Sequence, residues 1–232
     1  ESLAAVNALG GISSPRVRGV LLELMKVGNN EVKASAIQAL SQQGSPGLVN
    51  IINPYLKHAS RPVVRSSVTA LLDLGREGED AVKLAMPMVL SRLGTDRGSK
   101  VVLTKMLELS DVGQMSLVQD YFAMRIKKQT SNVKRWQARG ISTSYSYYGN
   151  RRERRARNEL EWWLDLVSRH IHPPFTEGLV NCIKSLFSSI SDSIRFSTIL
   201  SKSPLAEEIG IRYLQPLPRK PTQSPRNPNC FV

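Results

Sequence analysis

Between residues 125 and 157 the chain carries eleven basic side chains, among them Arg135, Arg139, Arg151, Arg152, Arg154 and Arg155, against a single acid, Glu153. A guanidinium offers paired N–H donors that match a carboxylate or a phosphate bidentately. Trp136, Tyr145, Tyr147 and Tyr148 are interleaved with these groups, and aromatic faces among arginines are a means of holding single-stranded nucleic acid. The chemistry expected is binding of a polyanion, either an acidic protein surface or a nucleic acid. Arg135, Arg139, Arg151, Arg152, Arg154 and Arg155 would supply charge, and Trp136, Tyr147 and Tyr148 would stack. The run from Arg151 to Arg155 also has the form of a basic import signal. The whole chain agrees in sign: 32 Lys and Arg stand against 19 acids, a formal net charge of +13, and such a field draws polyanions.

Other chemistry is sparse. His170 and His172 stand two apart beside Pro173 and Pro174, a spacing that suits a metal only on an extended segment, and no nearby Cys, Asp or Glu completes a set. Cys182 and Cys230 have neither metal-ligand spacing nor the number needed for a disulfide framework. No phosphate loop, nucleophile elbow or dinucleotide fingerprint occurs. No catalytic residue, metal or cofactor is therefore expected. No apolar run approaches the roughly 18 residues of a membrane span, and no signal peptide opens the chain; an intracellular place, cytoplasmic or nuclear, is expected.

The elements that must carry these residues are legible from a repeat. Ala8-Leu9-Gly10-Gly11, Ala39-Leu40 with Gly44, and Ala70-Leu71 with Gly75 recur at a step of 31 residues. Glu31-Val32-Lys33 and Pro62-Val63-Val64-Arg65 precede the second and third copies, and Ser14-Pro15 and Ser45-Pro46 follow the first and second. Val17, Val20, Leu21, Leu24 and Met25 have the spacing of one apolar helix face. Ala34, Ala36 and Ala39 are small enough to let a second helix approach. The glycines suit left-handed helix C-caps, and Ser-Pro suits a helix start. A single helix pair cannot bury its own apolar face, whereas stacked copies can.

This pattern resembles the HEAT repeats, in particular the short-repeat, PBS-lyase-like subclass, over residues 1–95. The resemblance implies an all-α fold, a HEAT-like α-solenoid of stacked helix pairs, and a non-enzymatic interaction scaffold. Because Glu1 falls inside a repeat, further repeats of a longer parent chain are expected, with this as its C-terminal part. Residues 97–128 read as a degenerate continuation, through Val101, Val102, Met106, Val118, Tyr121, Phe122 and Ile126. The expected divisions are a solenoid over 1–128, an exposed basic, Tyr/Arg-rich loop over 129–158, a helical cap over 159–203 and a Pro-rich, mostly disordered tail over 204–232. Leu160, Trp163, Leu164 and Val167 mark one cap helix; Leu179, Ile183, Leu186 and Phe187 mark the other.

Two alternatives carry different functions. Trp162, Trp163 and Asp165 resemble the tryptophan and aspartate cluster of HEAT-like alkyl-base DNA glycosylases, which would make the chain a nucleic-acid enzyme acting through Asp165. The helical part of a large lipid-transfer protein is the other; that family also needs strands, and no strand-rich region is read here.

Overall fold

The computed structural model describes residues 2–44, 47–109, 111–140, 146–189 and 193–210. They form helices throughout, with no strand among them. In chain order the helices are α1 (Ser2–Gly10), α2 (Pro15–Val27), α3 (Asn30–Gln42), α4 (Leu48–Ile52), α5 (Arg61–Asp73), α6 (Arg76–Leu84), α7 (Met86–Arg92), α8 (Arg97–Leu107), α9 (Ser116–Gly140), α10 (Ser146–His170), α11 (Glu177–Phe187), α12 (Ser193–Leu200) and α13 (Leu205–Glu208). Tight 3-10 turns follow α4 at Asn53–Lys57 and precede α9 at Val112–Gln114.

The helices stand in two rows. In one, α3 lies between α1 and α5, and α8 lies against α5. The other row runs through α2, the α4 turn, α7, α9 and α11. α10 packs along α9, and α12 packs on α10. The fold is thus the all-α stack that the repeat predicts.

The step of 31 is a packing register. α3 and α5 begin and end 31 residues apart, and equivalent side chains share one fate: Ile37 and Val68, and Leu40 and Leu71, are all completely buried. Helix starts follow local chemistry. Asn29 caps α3 by accepting from the N–H groups of Glu31 and Val32 at 3.1 and 2.9 Å. Pro15 and Pro62 occupy first turns, where a missing N–H costs nothing. Gly44 and Gly75 take left-handed backbone at φ 59° and 79°, as their place after the helices predicts. Gly10 does something else. It stays inside α1, where a Cβ would come within 3.0 Å of Ala39 Cα, so it serves close approach of α1 to α3. Ser45 and Pro46 lie outside the described residues.

Polar contacts between successive units keep the same period. Tyr55 Oη donates to Met25 O at 3.1 Å, and Gln43 Nε2 donates to Ile12 O at 3.1 Å. Arg65 pairs with Asp96, and Lys105 with Asp73. Arg92 donates to His58 O at 3.4 Å and Arg125 Nη2 to Leu93 O at 3.0 Å. The partners are 30 to 34 residues apart in the chain. The last of these pairs extends the register into α9, past the point where sequence similarity fades.

Several expectations need correction. In α2 Leu21 and Met25 are fully buried and Val17 and Leu24 pack partly buried beside them, while Val20 is half exposed. Val101 of α8 also faces outward. The basic loop expected over 129–158 is helical wherever it is described: 129–140 complete α9 and 146–158 begin α10. The reason is a sparse apolar stripe within the polar sequence. Val133 continues the buried face of α9 from Phe122 and Ile126, and Ala156, Leu160 and Trp163 form that of α10. Arginine is also a good helix former, and Glu153 and Arg157 add an i, i+4 ion pair. The cap boundary at 159 therefore falls inside one continuous helix. At the other end, α13 follows Pro204 and buries Leu205, so the first residues of the expected tail are folded; residues 211–232 lie outside the described residues.

Gly78 gives the sharpest test of this packing. A Cβ there would stand 1.8 Å from Leu71 O, so α6 rests directly on the backbone of α5. Gly78→Ala should lower stability by about 1–3 kcal/mol in chemical denaturation, the cost of overpacking a close backbone approach. Gly19→Ala in α2, with no atom within 4 Å, should be neutral or slightly stabilising.

Candidate polyanion-binding surface

α9 and α10 are each 25 residues long, roughly 37 Å at 1.5 Å per residue. At one level Phe122 and Tyr121 meet Trp163 edge-on, with ring centroids 5.4 and 6.2 Å apart. Farther along, the Arg152 guanidinium lies 5.2 Å over the Trp136 ring. Residue number thus rises along α9 while it falls along the facing part of α10, and the two helices run antiparallel. α11 lies beside α9 and reaches Lys134 through Ser185 and Leu186. The basic residues beyond Lys134 sit at the outer end of this helical pair.

Arg135, Arg151, Arg152, Arg154 and Arg155 are all exposed there. Arg151, Arg154 and Arg155 have i, i+3, i+4 spacing and share one helix face. Arg152 stands one turn before buried Ala156, which places it at the seam and over Trp136. Arg157 Nε and Nη2 donate to Glu153 Oε1 at 3.0 and 2.6 Å, so the one acid of the segment is already engaged. Trp136 is half-buried and packs on the core; it is not an open stacking platform. The side chains of Arg139, Tyr147 and Tyr148 lie outside the described residues, although their backbone is helical.

Arg125 belongs to the basic run by sequence but has a structural task. It donates to the last carbonyl region of α7 at Leu93 and lies over Tyr121 and Trp163, 4.9 and 6.0 Å from their centroids. Trp163 Nε1 and Glu159 Oε1 are buried without a hydrogen-bond partner. Burial pushes the Tyr121 hydroxyl above its ordinary range.

Sequence reading missed Gln119, which is completely buried. Its amide nitrogen donates to Gly113 O, His172 O and Pro174 O at 3.3, 3.2 and 2.9 Å, while its oxygen accepts from Thr176 N at 2.6 Å. One side chain therefore ties the bend after α10 to the start of α9. A lone glutamine has no motif to announce it.

A family model described as HEAT repeats matches residues 2–73. Over those residues the chain is similar to HEAT repeats. No curated protein and no solved structure matches the chain. The bond between Arg125 and Leu93 keeps the spacing of the repeat as far as α9.

The structure does not assemble the cluster expected for a glycosylase. Trp163 is 1% exposed and lies in the core, whereas Trp162 is covered by Lys100 Nζ at 4.2 Å. Asp165 is held on the helix surface by Arg169, whose Nε and Nη2 donate at 2.9 and 2.5 Å. The two rings meet each other edge-on at 4.6 Å, one in the core and the other beneath Lys100. Among the described residues no group of three His, Cys, Asp or Glu is placed to hold a metal, and no helix is long and apolar enough to cross a membrane.

Burial pushes His170 below the ordinary histidine range, with Glu108 and Asp165 opposing and Arg169 and His172 reinforcing that shift. The folded chain therefore resists a proton that the unfolded chain accepts, and stability is lost as pH falls below about 6.5, the ordinary histidine value. Denaturation midpoints should drop more between pH 7.5 and 5.5 for the native sequence than for His170→Gln; equal drops would mean the loss arises elsewhere.

Proposed function

We propose that the chain is a non-enzymatic interaction scaffold that binds an acidic partner at the outer end of the α9–α10 pair. Stacked HEAT repeats typically present extended surfaces for other proteins. The observation that carries the reading is the exposed face of Arg151, Arg154 and Arg155, with Glu153, the one acid between Arg151 and Arg157, engaged by Arg157. Arg135 and Arg152 add charge at the tip, and Arg139 is proposed to join them in binding. Helical anchoring spares a partner the cost of ordering these side chains' backbone. Tyr147 and Tyr148 are proposed as further contacts for the partner.

An acidic polypeptide is favoured over nucleic acid. Base stacking needs an accessible ring face, and Arg152 already covers a face of Trp136. The test is fluorescence anisotropy with a labelled poly-glutamate peptide, a single-stranded RNA and a duplex DNA across a salt series. The peptide should bind with an affinity that falls as salt rises. Replacing Arg151, Arg152, Arg154 and Arg155 together by Ala should weaken it by about tenfold or more, some 1.4 kcal/mol. Tighter RNA binding with a steep salt slope would move the assignment to nucleic acid; no binding by any probe at low salt would overturn it.

A further inference from the structure

Between α9 and α11 lies an open cleft of about 640 Å3. It exists because the two helices meet closely at their base and carry small side chains above it. Cys182 Sγ donates to Ala123 O at 3.2 Å, and Gly178 stands beside Asp120. Beyond this contact Ser131 and Ser185 leave the space between the helices unfilled. Met124, a large apolar side chain, is 54% exposed on the rim, and Leu186 closes the far end.

The charge of the cleft is one-sided. Lys127 and Lys134 line it, both exposed, and no acid does. Asp120 and Glu177 stand only at its base, next to Gly178. Lys127 and Lys134 are seven residues apart on one helix face, roughly 10 Å at 1.5 Å per residue. In a polyproline II chain, with three residues per turn and a 3.1 Å rise, carboxylates three residues apart share one face and stand roughly 9 Å apart. Lys134 is followed directly by Arg135, so the positive end of the cleft opens onto the basic tip.

We propose that this cleft is the docking groove for the acidic partner: an extended polypeptide segment with carboxylates three residues apart and an apolar side chain between them. The carboxylates pair with Lys127 and Lys134. The apolar side chain rests on the exposed Met124, and Asn181 and Ser185 supply hydrogen bonds to the segment's backbone. This rests on the reading of the tip as an acidic-partner surface and adds where the partner is read rather than merely attracted. No aromatic side chain lines the cleft, which leaves nucleobases without a stacking surface there.

Cys182 in the wall of the cleft reports occupancy. In the full chain with Cys230→Ser it is the sole thiol, and its alkylation by N-ethylmaleimide is followed by intact mass. The probe is a synthetic peptide of repeating Glu-Ser-Leu, with poly-glutamate as the purely charged control. Glu-Ser-Leu should slow alkylation about fivefold or more at saturation, as expected when a groove is covered, and poly-glutamate should not. Ser185→Trp, at an exposed position that tolerates a large side chain, should fill the cleft and abolish the preference for Glu-Ser-Leu while leaving poly-glutamate binding intact. Lys127→Glu with Lys134→Glu should do the same to the Glu-Ser-Leu preference. If both peptides bind the tip but neither protects Cys182, the cleft assignment is overturned and the tip reading stands. If neither peptide binds at low salt, both fall. Protection by single-stranded RNA instead would also overturn the groove as a peptide site.

Discussion

Each helix pair in this chain depends on a neighbour to bury its apolar face. α3 shows the constraint most clearly. Ala36, Ile37, Ala39 and Leu40 are buried because α1 and α5 flank it in addition to α2. The small residues permit the approach: Gly10 lies against Ala39, and Gly78 lies against the backbone of Leu71. Without those close contacts the larger side chains behind them would not interdigitate. The polar bridges are secondary to this packing but obey its spacing, linking residues 30 to 34 apart from Met25 to Arg125.

The long pair α9 and α10 turns the same packing to another purpose. Its inner part joins the stack through Phe122, Trp163 and the Arg125 link to Leu93. Gln119 fixes the bend that returns the chain to α11. The outer part, freed from contact with shorter neighbours, carries arginines on an already ordered backbone. Charge and order thus come from different residues of one helix: Ala156, Leu160 and Trp163 hold it, while Arg151, Arg154 and Arg155 face out.

The stack was legible in the sequence because its register repeats: Ile37 and Val68, or Gly44 and Gly75, are each other's image in both sequence and structure. The arginines were legible as a candidate surface, since charge clustering needs no fold to be seen. Their setting was not. The stretch from Gln129 to Asn158 is so polar that its helix-spaced apolar positions, Val133 and then Ala156, are easily passed over, and the Ser- and Tyr-rich sequence from Gly140 to Asn150 colours the reading of both flanks. Gln119 and Gly78 matter through backbone atoms distant in the chain or packed across helices, and such contacts have no sequence pattern. Trp136 was read as a ligand platform because an aromatic among arginines looks alike whether it faces solvent or core.

The account stands or falls on the arginines being borne by helices anchored to the stack. Native-state hydrogen exchange of residues 129–138 and 151–158, read peptide by peptide, tests this directly. Stable helices should show amide exchange slowed by about a hundredfold or more relative to an unstructured chain, with protection rising toward Ile126 and Trp163. Exchange at the rate of an unstructured chain over both stretches would contradict the account and return the basic segment to a loop.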